Sequence, residues 1–314
     1  MLQPATAPPP GFVTVGRAEW AALAGDGRTG LTSEELAPLT AFDPALDLDE
    51  VRSVLLPLAD LLRLRAVLEM DLRAAQDAFL GREPRVTPYV VGITGSVAAG
   101  KSTLAEVLRL LVSRAPERPT VDVVATDSFL LTNDELRARG ILHRKGFPES
   151  YDWSAMEEFL LGLRLGTPVL DVPVYSHLRY DRVPGEVRTL VEPQLVIVEG
   201  VNVLQAPPAG SARLLPSDLV DLRVYVDADE AHLRRWFIER FMAFRTSVFT
   251  DPESFYHEYA NLTDEQSVDV AERVWRSING RNLRDHIAPT RVRADLILAK
   301  GEDHAVEAVH LRRP

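Results

Sequence analysis

The chain has 314 residues, which is enough for one large domain or two modest ones. Hydrophobic residues make up 46% and charged residues 26%, the ordinary mix of a globular protein with a sizeable core. The net charge of -11 disfavours a nucleic-acid partner, and the absence of cysteine excludes disulfides, thiolate metal sites and cysteine nucleophiles.

The first residues lack the basic start and apolar run of a signal peptide, and no run of 18 apolar residues follows anywhere. We therefore expect a soluble, cytoplasmic protein without a membrane span. Residues 1–12 are rich in proline and should form a flexible lead. Residues 13–85 are expected to be a helical section that packs on the main domain, which then occupies residues 86–314.

Two helices are predicted in this N-terminal section. Thr32 is followed three residues later by Glu35, a capping-box pattern that predicts the start of a short helix. Leucine and valine then repeat at helical spacing between residues 48 and 80, which predicts a longer helix, and Gly81 is placed to end it. Pro57 should kink this longer helix near its first turns.

From residue 88 onwards, short apolar runs alternate with helical patterns. Runs that are apolar on both faces are typical of strands covered by helices on each side, so the fold class is α/β with a mostly parallel sheet. Such sheets bind ligands at the carboxyl ends of their strands. The predicted strands are Tyr89–Ile93, Val121–Ala125, Leu195–Val198, Leu222–Val226 and Leu296–Leu298. The predicted helices are 101–114, 154–165, 229–245 and 264–284.

The first of these strands ends in a complete G-x-x-x-x-G-K-S pattern, with a helix predicted directly after it. The glycines let the backbone N–H groups turn towards phosphate oxygens at the start of that helix. Lys101 is expected to reach the β- and γ-phosphates of a nucleotide, and Ser102 to offer its hydroxyl to Mg²⁺. The residues expected to hold ATP are Gly95, Ser96, Val97, Ala98, Ala99, Gly100, Lys101, Ser102 and Thr103.

Two acidic residues follow neighbouring apolar runs. Asp127 could accept a proton from an acceptor hydroxyl or help to hold Mg²⁺, and as an alternative it could only cap a turn. Glu199 is placed to organise Mg²⁺, or else is a loop carboxylate.

The residue types say less about the molecule that accepts the phosphoryl group. Residues 145–152 and 173–177 are predicted to be loops rich in aromatic and hydrogen-bonding groups, which suits an acceptor pocket. A histidine in such a loop, here His177, is more often structural than functional. Arg240 could stabilise the transferring phosphoryl group, although most helix arginines are solvated. The residues alone therefore predict a P-loop kinase with an unknown small acceptor, such as uridine or a sugar phosphate, and leave open a non-catalytic nucleotide-dependent switch.

The sequence resembles the bacterial type I pantothenate kinases over essentially its whole length. The resemblance rests on GSVAAGKST, KGFPESYDW, VPVYSHLRYD, LVIVEGVNVLQ, VFTDPESF and APTRVRADLIL. It implies a cytoplasmic homodimer with a P-loop core that transfers the γ-phosphoryl group of Mg-ATP to pantothenate, the first step of coenzyme A biosynthesis. It also implies feedback inhibition by coenzyme A.

The resemblance assigns roles residue by residue. It implies that Asp127 is the base and that Arg240 steadies the transferring phosphoryl group, while Phe249 belongs with Phe244 to an aromatic wall. It places ATP and Mg²⁺ at Lys101 and Ser102, and Glu199 remains the second expected metal residue because of its position after an apolar strand. The implied pantothenate-binding residues are Asp127, Tyr175, His177, Phe237, Phe244 and Asn279.

At three positions this chain departs from the family pattern. Phe237 replaces a tyrosine, which removes one hydroxyl contact to pantothenate. Ser128 replaces a glycine and must adopt that glycine's backbone angles. Glu106 replaces an arginine associated with the coenzyme A phosphates, which should weaken feedback inhibition.

Overall fold

The computed structural model describes residues 7–25, 30–40, 46–83, 85–210 and 214–313. Within them, seven strands form one sheet in the order β1-β9-β8-β7-β2-β6-β3, and β4 and β5 form a separate antiparallel hairpin. The five strands from β8 to β3 are parallel, whereas β9 and β1 add two antiparallel strands at one edge. The strands are β1 (Phe12–Gly16), β2 (Tyr89–Gly95), β3 (Val121–Ala125), β4 (Val169–Ser176), β5 (Asp181–Val191), β6 (Leu195–Glu199), β7 (Leu222–Asp227), β8 (Leu296–Lys300) and β9 (Val306–Arg312).

Helices flank the large sheet, and 3-10 or π-helical turns extend several of them. The α-helices are α1 (Arg17–Ala21), α2 (Ser33–Thr40), α3 (Leu48–Glu50), α4 (Leu56–Phe79), α5 (Lys101–Ser113), α6 (Asn133–Ala138), α7 (Trp153–Arg164), α8 (Pro216–Leu219), α9 (Glu230–Arg245), α10 (Asp264–Val274) and α11 (Gly280–Asn282). The π-helical turns are Val51–Leu55, Trp275–Asn279 and Leu283–Ile287. The 3-10 turns are Thr126–Phe129, Leu142–Arg144, Pro148–Ser150, Val248–Thr250, His257–Asn261 and Ala288–Arg293.

The predicted mostly parallel α/β fold is confirmed. All five predicted strands form and all five pair in parallel. Every residue of β2 and β6 is buried, as expected for strands covered on both faces. The carboxyl ends of β2, β3 and β6 therefore meet at one edge of the sheet.

Two expectations need correction. Residues 13–85 were expected to be helical, but Phe12–Gly16 forms β1 and pairs with β9. Its pattern was hard to recognise because only Val15 is buried. Residues 173–177 were expected to be a loop, but Pro173–Ser176 belongs to β4. The hairpin was hard to recognise because its second strand, β5, is mostly exposed and therefore lacks an apolar pattern.

The long N-terminal helix forms with an irregular start. The chain passes from α3 through the π-helical turn Val51–Leu55 into α4, where Pro57 occupies the first turn. Proline has no N–H to donate to the preceding turn, which is consistent with a widened turn at this point.

Part of the predicted flexible lead, residues 1–6, lies outside the described residues. Ala7 lies within them, and its carbonyl accepts a hydrogen bond from Arg291. The division at residues 13 and 86 stays a prediction. In the part of the chain that is described, no helix has the length and apolar character to cross a membrane.

Candidate active site

The loop Gly95–Thr103 connects β2 to α5 with an unusual backbone. Gly95, Ala98 and Gly100 all have positive φ values, of 147°, 67° and 89°. Gly95 also has no room for a side chain, because a Cβ there would lie 2.4 Å from the carbonyl oxygen of Val226 in β7. The loop thus packs against β7 while it turns into a helix N-terminus, where backbone N–H groups can bind an anion.

Lys101 opens α5 with its ammonium group buried. Its Nζ donates a hydrogen bond of 2.7 Å to the carbonyl oxygen of Ser96 inside the loop. Burial lowers the pKa of Lys101, with a smaller lowering from the charge of Arg240, while Glu199 and Asp127 act in the opposite direction. Two neighbouring cations in a buried place are favoured when an anionic ligand joins them.

The segments that carry Glu199 and Asp127 approach each other closely because a glycine leaves room between them. Ser102 Oγ donates a 2.8 Å hydrogen bond to Glu199 Oε1, and burial raises the pKa of Glu199. A Cβ on the next residue, Gly200, would lie 1.7 Å from Thr126 Oγ1. Only glycine therefore allows the end of β6 to contact the turn that carries Asp127.

Arg240 reaches the same place from α9. It shares one helix face with Phe237 and Phe244, at spacings of three and four residues. Burial lowers the pKa of Arg240 to about 10, and no charged partner offsets that cost among the residues described here. A partly buried arginine of this kind is suited to bind a phosphoryl group.

The β4–β5 hairpin brings Tyr175 and His177 to the site. Their rings pack edge to face with centroids 5.3 Å apart. The Tyr175 hydroxyl is buried without a hydrogen-bond partner in the described structure, and the pKa of Tyr175 is raised by burial and by the charge of Asp127. His177 lies close enough to lower the pKa of Glu199. The hairpin therefore contributes an unused hydroxyl next to the carboxylates.

Aromatic rings connect this hairpin to the end of α9. Phe249 packs on Phe244 with a centroid distance of 6.0 Å and on Tyr256 at 5.3 Å. Tyr256 contacts Tyr180 at 5.2 Å, and Tyr180 contacts Tyr175 at 6.5 Å. The predicted aromatic wall of Phe244 and Phe249 is thus continuous with the hairpin residues.

Phe237 and Asn279 are joined to the site less directly. Phe237 is buried, and its ring lies 5.8 Å from that of Trp275. Trp275 begins the π-helical turn that ends at Asn279. Among the described contacts, none joins Asn279 to the carboxylates.

The other two departures from the family pattern are structurally mild. Ser128 lies in the 3-10 turn Thr126–Phe129 and is not among the described residues with a positive φ, so the side chain causes no backbone strain. Glu106 pairs with Arg109 on α5, with Oε2 2.7 Å from Nε. The negative charge of Glu106 is therefore partly offset by its own helix.

Sequence reasoning missed a cavity that adjoins the phosphate loop. It reaches from Gly100 and Thr103 to Lys300, the last residue of β8, and to His304 in the turn between β8 and β9. The His304 ring stacks on Trp236 at 3.8 Å. Lys300 and His304 lie about 200 residues after the loop, and no local pattern marks them.

Sequence reasoning also left Lys145 without a role, although it begins the KGFPESYD motif. Its ammonium group is buried between the hairpin and the N-terminus of α6. A lone lysine in a predicted loop carries no signal of burial, so only the structure reveals it.

Comparison with known proteins agrees with this arrangement. Residues 90–250 match the Phosphoribulokinase / Uridine kinase family. The chain is 50% identical to the pantothenate kinase of Sorangium cellulosum (strain So ce56), with 94% of this chain and 96% of that protein covered. It is 43% identical to the pantothenate kinase of Sodalis glossinidius (strain morsitans), with both chains covered completely. Its fold is similar to that of D-glycerate 3-kinase from Cryptococcus neoformans var. grubii, with a TM-score of 0.52, 15% identity and coverage of 79% and 98%.

Proposed function

Since this chain belongs to the Phosphoribulokinase / Uridine kinase family and, within it, to the pantothenate kinases, we propose how its residues divide the transfer of a phosphoryl group from ATP to pantothenate. The enzyme forms 4'-phosphopantothenate, and this reaction is the first step of coenzyme A biosynthesis. One observation supports the division of roles most strongly. The turn Thr126–Phe129, which carries Asp127, follows β3 beside the carboxyl ends of β2 and β6, and it also contacts β4, which carries Tyr175.

Lys101 and Arg240 stabilise the transferring phosphoryl group. The loop Gly95–Thr103 holds the β- and γ-phosphates through backbone N–H groups, and the Lys101 ammonium exchanges its bond to Ser96 for a phosphate oxygen. The Arg240 guanidinium neutralises charge on the phosphoryl oxygens in the transition state. Binding of the phosphates also relieves the repulsion between the two cations.

Asp127 acts as the general base. As the acceptor hydroxyl oxygen bonds to the γ-phosphorus, the bond from that phosphorus to the bridging oxygen of ADP breaks. The hydroxyl proton passes to the Asp127 carboxylate. The close contact at Gly200 holds that carboxylate near the end of β6 and hence near the nucleotide.

The hairpin and α9 form the pantothenate pocket. The Tyr175 hydroxyl, which has no hydrogen-bond partner among the described residues, donates to the acceptor, and His177 lies beside it. Phe244 and Phe249 form the apolar wall. Asn279 and Phe237 complete the far end of the pocket, as the family resemblance implies.

The donor set at Ser102 and Glu199 fits Mg²⁺. A hydroxyl and a carboxylate oxygen that lie 2.8 Å apart are hard oxygen donors, and nucleotide phosphates and water would supply the remaining ligands. Such an ion supplies charge neutralisation to the β- and γ-phosphates.

We place the nucleoside of ATP beside the phosphate loop, next to this cavity. Gly100 and Thr103 form its inner side, and the imidazole of His304 and the stem of Lys300 form part of its wall. A planar base can stack on an imidazole that is itself held by Trp236. A nucleoside at this position would lie directly beside the phosphates that bind at the start of α5.

Coenzyme A is proposed as a feedback inhibitor that competes at the phosphate loop. Glu106 lies one turn after Ser102 on the same face of α5, so its charge acts near bound phosphates. Arg109 offsets part of this charge. We expect inhibition that is weakened but not abolished.

The exposed face of α4 is proposed as the homodimer interface. Leu58 and Leu62, near the start of the helix, are buried in the core, whereas large apolar side chains further along the helix are 52–90% exposed. A contiguous exposed apolar surface on this scale marks an interaction site. The exposed residues are Leu64, Val67, Leu68, Leu72 and Phe79.

A second copy of the same helix fits this face in the antiparallel direction. In an antiparallel pair centred on Leu68, Leu64 of one helix lies opposite Leu72 of the other, and Arg65 lies opposite Asp71. A parallel pair would instead place each of these charged residues opposite a residue of the same charge. A helix of 24 residues is about 36 Å long, long enough to contribute most of a standard interface. The cytoplasmic location stays a prediction from the family resemblance.

An acceptor screen with Mg-ATP tests the function. Pantothenate should be phosphorylated with one ADP released per product, while uridine and sugar phosphates should remain unchanged. The Lys101→Met protein, which lacks the phosphate-binding charge, serves as the control and should be inactive. Preferential phosphorylation of uridine, or ADP release without any acceptor, would favour the kinase of another acceptor or the nucleotide-dependent switch.

A further inference from the structure

The ammonium group of Lys145 lies between α6 and the β4–β5 hairpin. The residue is only 4% exposed. Its Nζ donates to Asn133 Oδ1 at 2.6 Å and to the carbonyl oxygen of Tyr180 at 2.5 Å. It also lies 4.5 Å from the ring centroid of Tyr180 and 5.3 Å from that of Tyr175. Burial of a charged group costs free energy. The hydrogen bonds and ring contacts of the Lys145 ammonium offset this cost as long as the turn keeps its conformation.

The hairpin turn that Lys145 holds is conformationally demanding. Tyr180 has a φ of 50°, in the left-handed region that bulky side chains rarely adopt. Its carbonyl oxygen accepts a second hydrogen bond, of 3.1 Å, from Asn133 Nδ2. The Asp181 carboxylate in turn accepts from the backbone N–H of Asn133 at 3.1 Å. Lys145 and Asn133 together therefore anchor the turn.

This turn determines where the acceptor-binding side chains lie. It joins β4, which ends just after Tyr175, to β5, and it includes His177. The Tyr180 ring continues into the aromatic wall through Tyr256. A change in the turn would displace Tyr175 and His177 together, whereas the phosphate loop shares no described contact with Lys145.

We propose that Lys145 is a positioning residue of the acceptor site, whose charge holds the β4–β5 turn so that Tyr175 and His177 face pantothenate. The inference rests on the proposed roles of those two residues. It concerns acceptor binding and leaves the nucleotide site unaffected.

The charge state of Lys145 makes this role sensitive to pH. Burial lowers the pKa of Lys145 to about 8, with Asp181 and Asp127 acting to raise it and Arg137 and Arg182 acting to lower it. The ammonium is present below that pH and lost above it. The KM for pantothenate should therefore rise as the pH increases through about 8, while the KM for ATP stays constant.

Steady-state kinetics of Lys145→Met test the proposal, since methionine keeps the length of the side chain without its charge. The KM for pantothenate should rise about tenfold or more, and the KM for ATP should change less than twofold. Arg137→Met removes a nearby charge that does not contact the turn, and it should leave both values unchanged. An unchanged pantothenate KM in Lys145→Met, or an equal rise in both KM values, overturns the proposal.

Two further measurements keep the test decisive if Lys145→Met does not fold. Asn133→Ala removes one acceptor of the ammonium and should raise the pantothenate KM about threefold. Lys145→Arg keeps its positive charge at high pH. In this variant the KM for pantothenate should therefore not rise as the pH increases through about 8, and a rise like that of the wild type contradicts the inference. If the wild-type enzyme does not phosphorylate pantothenate, the proposed function fails, whereas an active wild type with an insensitive Asn133→Ala refutes this inference alone.

Discussion

Among single residues, Asp127 has the most direct role in the proposed mechanism, because it lies between the phosphate loop and the hairpin. Asp127→Asn keeps the shape of the side chain but cannot accept the hydroxyl proton. We expect kcat to fall by roughly 10²-fold or more, with little change in the KM for ATP. Steady-state kinetics with pantothenate and Mg-ATP measure both values.

Asp134→Asn is the matched control for this substitution. Its carboxylate is exposed and pairs only with Arg137 in the described structure, so kcat should remain unchanged. If Asp127→Asn raises the KM for pantothenate while kcat is maintained, Asp127 positions the acceptor and another group is the base.

Phe237 supports a second prediction at this scale. The ring is buried against Trp275, and the family pattern has a tyrosine at this position. Phe237→Tyr adds a hydroxyl at the acceptor end of α9, and one neutral hydrogen bond contributes about 0.5–1.5 kcal/mol. The KM for pantothenate should fall several-fold at unchanged melting temperature. A constant or higher KM would show that the hydroxyl does not reach the substrate.

At the scale of elements, α5 is proposed to combine nucleotide binding with regulation by coenzyme A. Glu106→Arg changes the local charge by two units next to the phosphate loop and breaks the pair with Arg109. Coenzyme A should then inhibit about 5–30-fold more strongly. The KM for ATP should change less, since in the proposed site backbone N–H groups, Lys101 and Mg²⁺ would bind its phosphates directly. Inhibition curves at fixed ATP and two salt concentrations measure the effect.

Glu106→Gln is the graded control, because it removes the negative charge without adding a positive one. It should increase inhibition by less than Glu106→Arg, and high salt should reduce both effects. Equal inhibition of all three proteins would mean that Glu106 points away from the inhibitor.

At the scale of the whole molecule, the exposed face of α4 should govern assembly. Leu68→Glu places two carboxylates at the centre of the proposed interface and should convert dimers to monomers in sedimentation velocity. Val292→Glu is the control, because Val292 is equally exposed, at 58%, but lies in a 3-10 turn far along the chain. A Leu68→Glu protein that remains dimeric would exclude this face as the interface.

The sequence was sufficient for features that depend on neighbours along the chain. The five parallel strands could be predicted because burial on both faces requires continuous apolar runs. The loop Gly95–Thr103 could be predicted because a phosphate-binding turn needs glycines and a lysine at fixed spacing. The family, and with it the reaction, followed from motifs of the same local kind.

Other features were decided only by contacts between distant segments. The pairing of β1 with β9 joins residues almost 300 positions apart, and exposed strands carry little apolar signal. The cavity beside the phosphate loop depends on Lys300 and His304, which no motif connects to it. Lys145 is separated from Tyr180 by 35 residues, and its burial results from the folding of the hairpin onto α6. Local patterns determined which chemical groups this protein has, whereas the tertiary structure decided which of them lose water and face the acceptor, because burial depends on long-range packing.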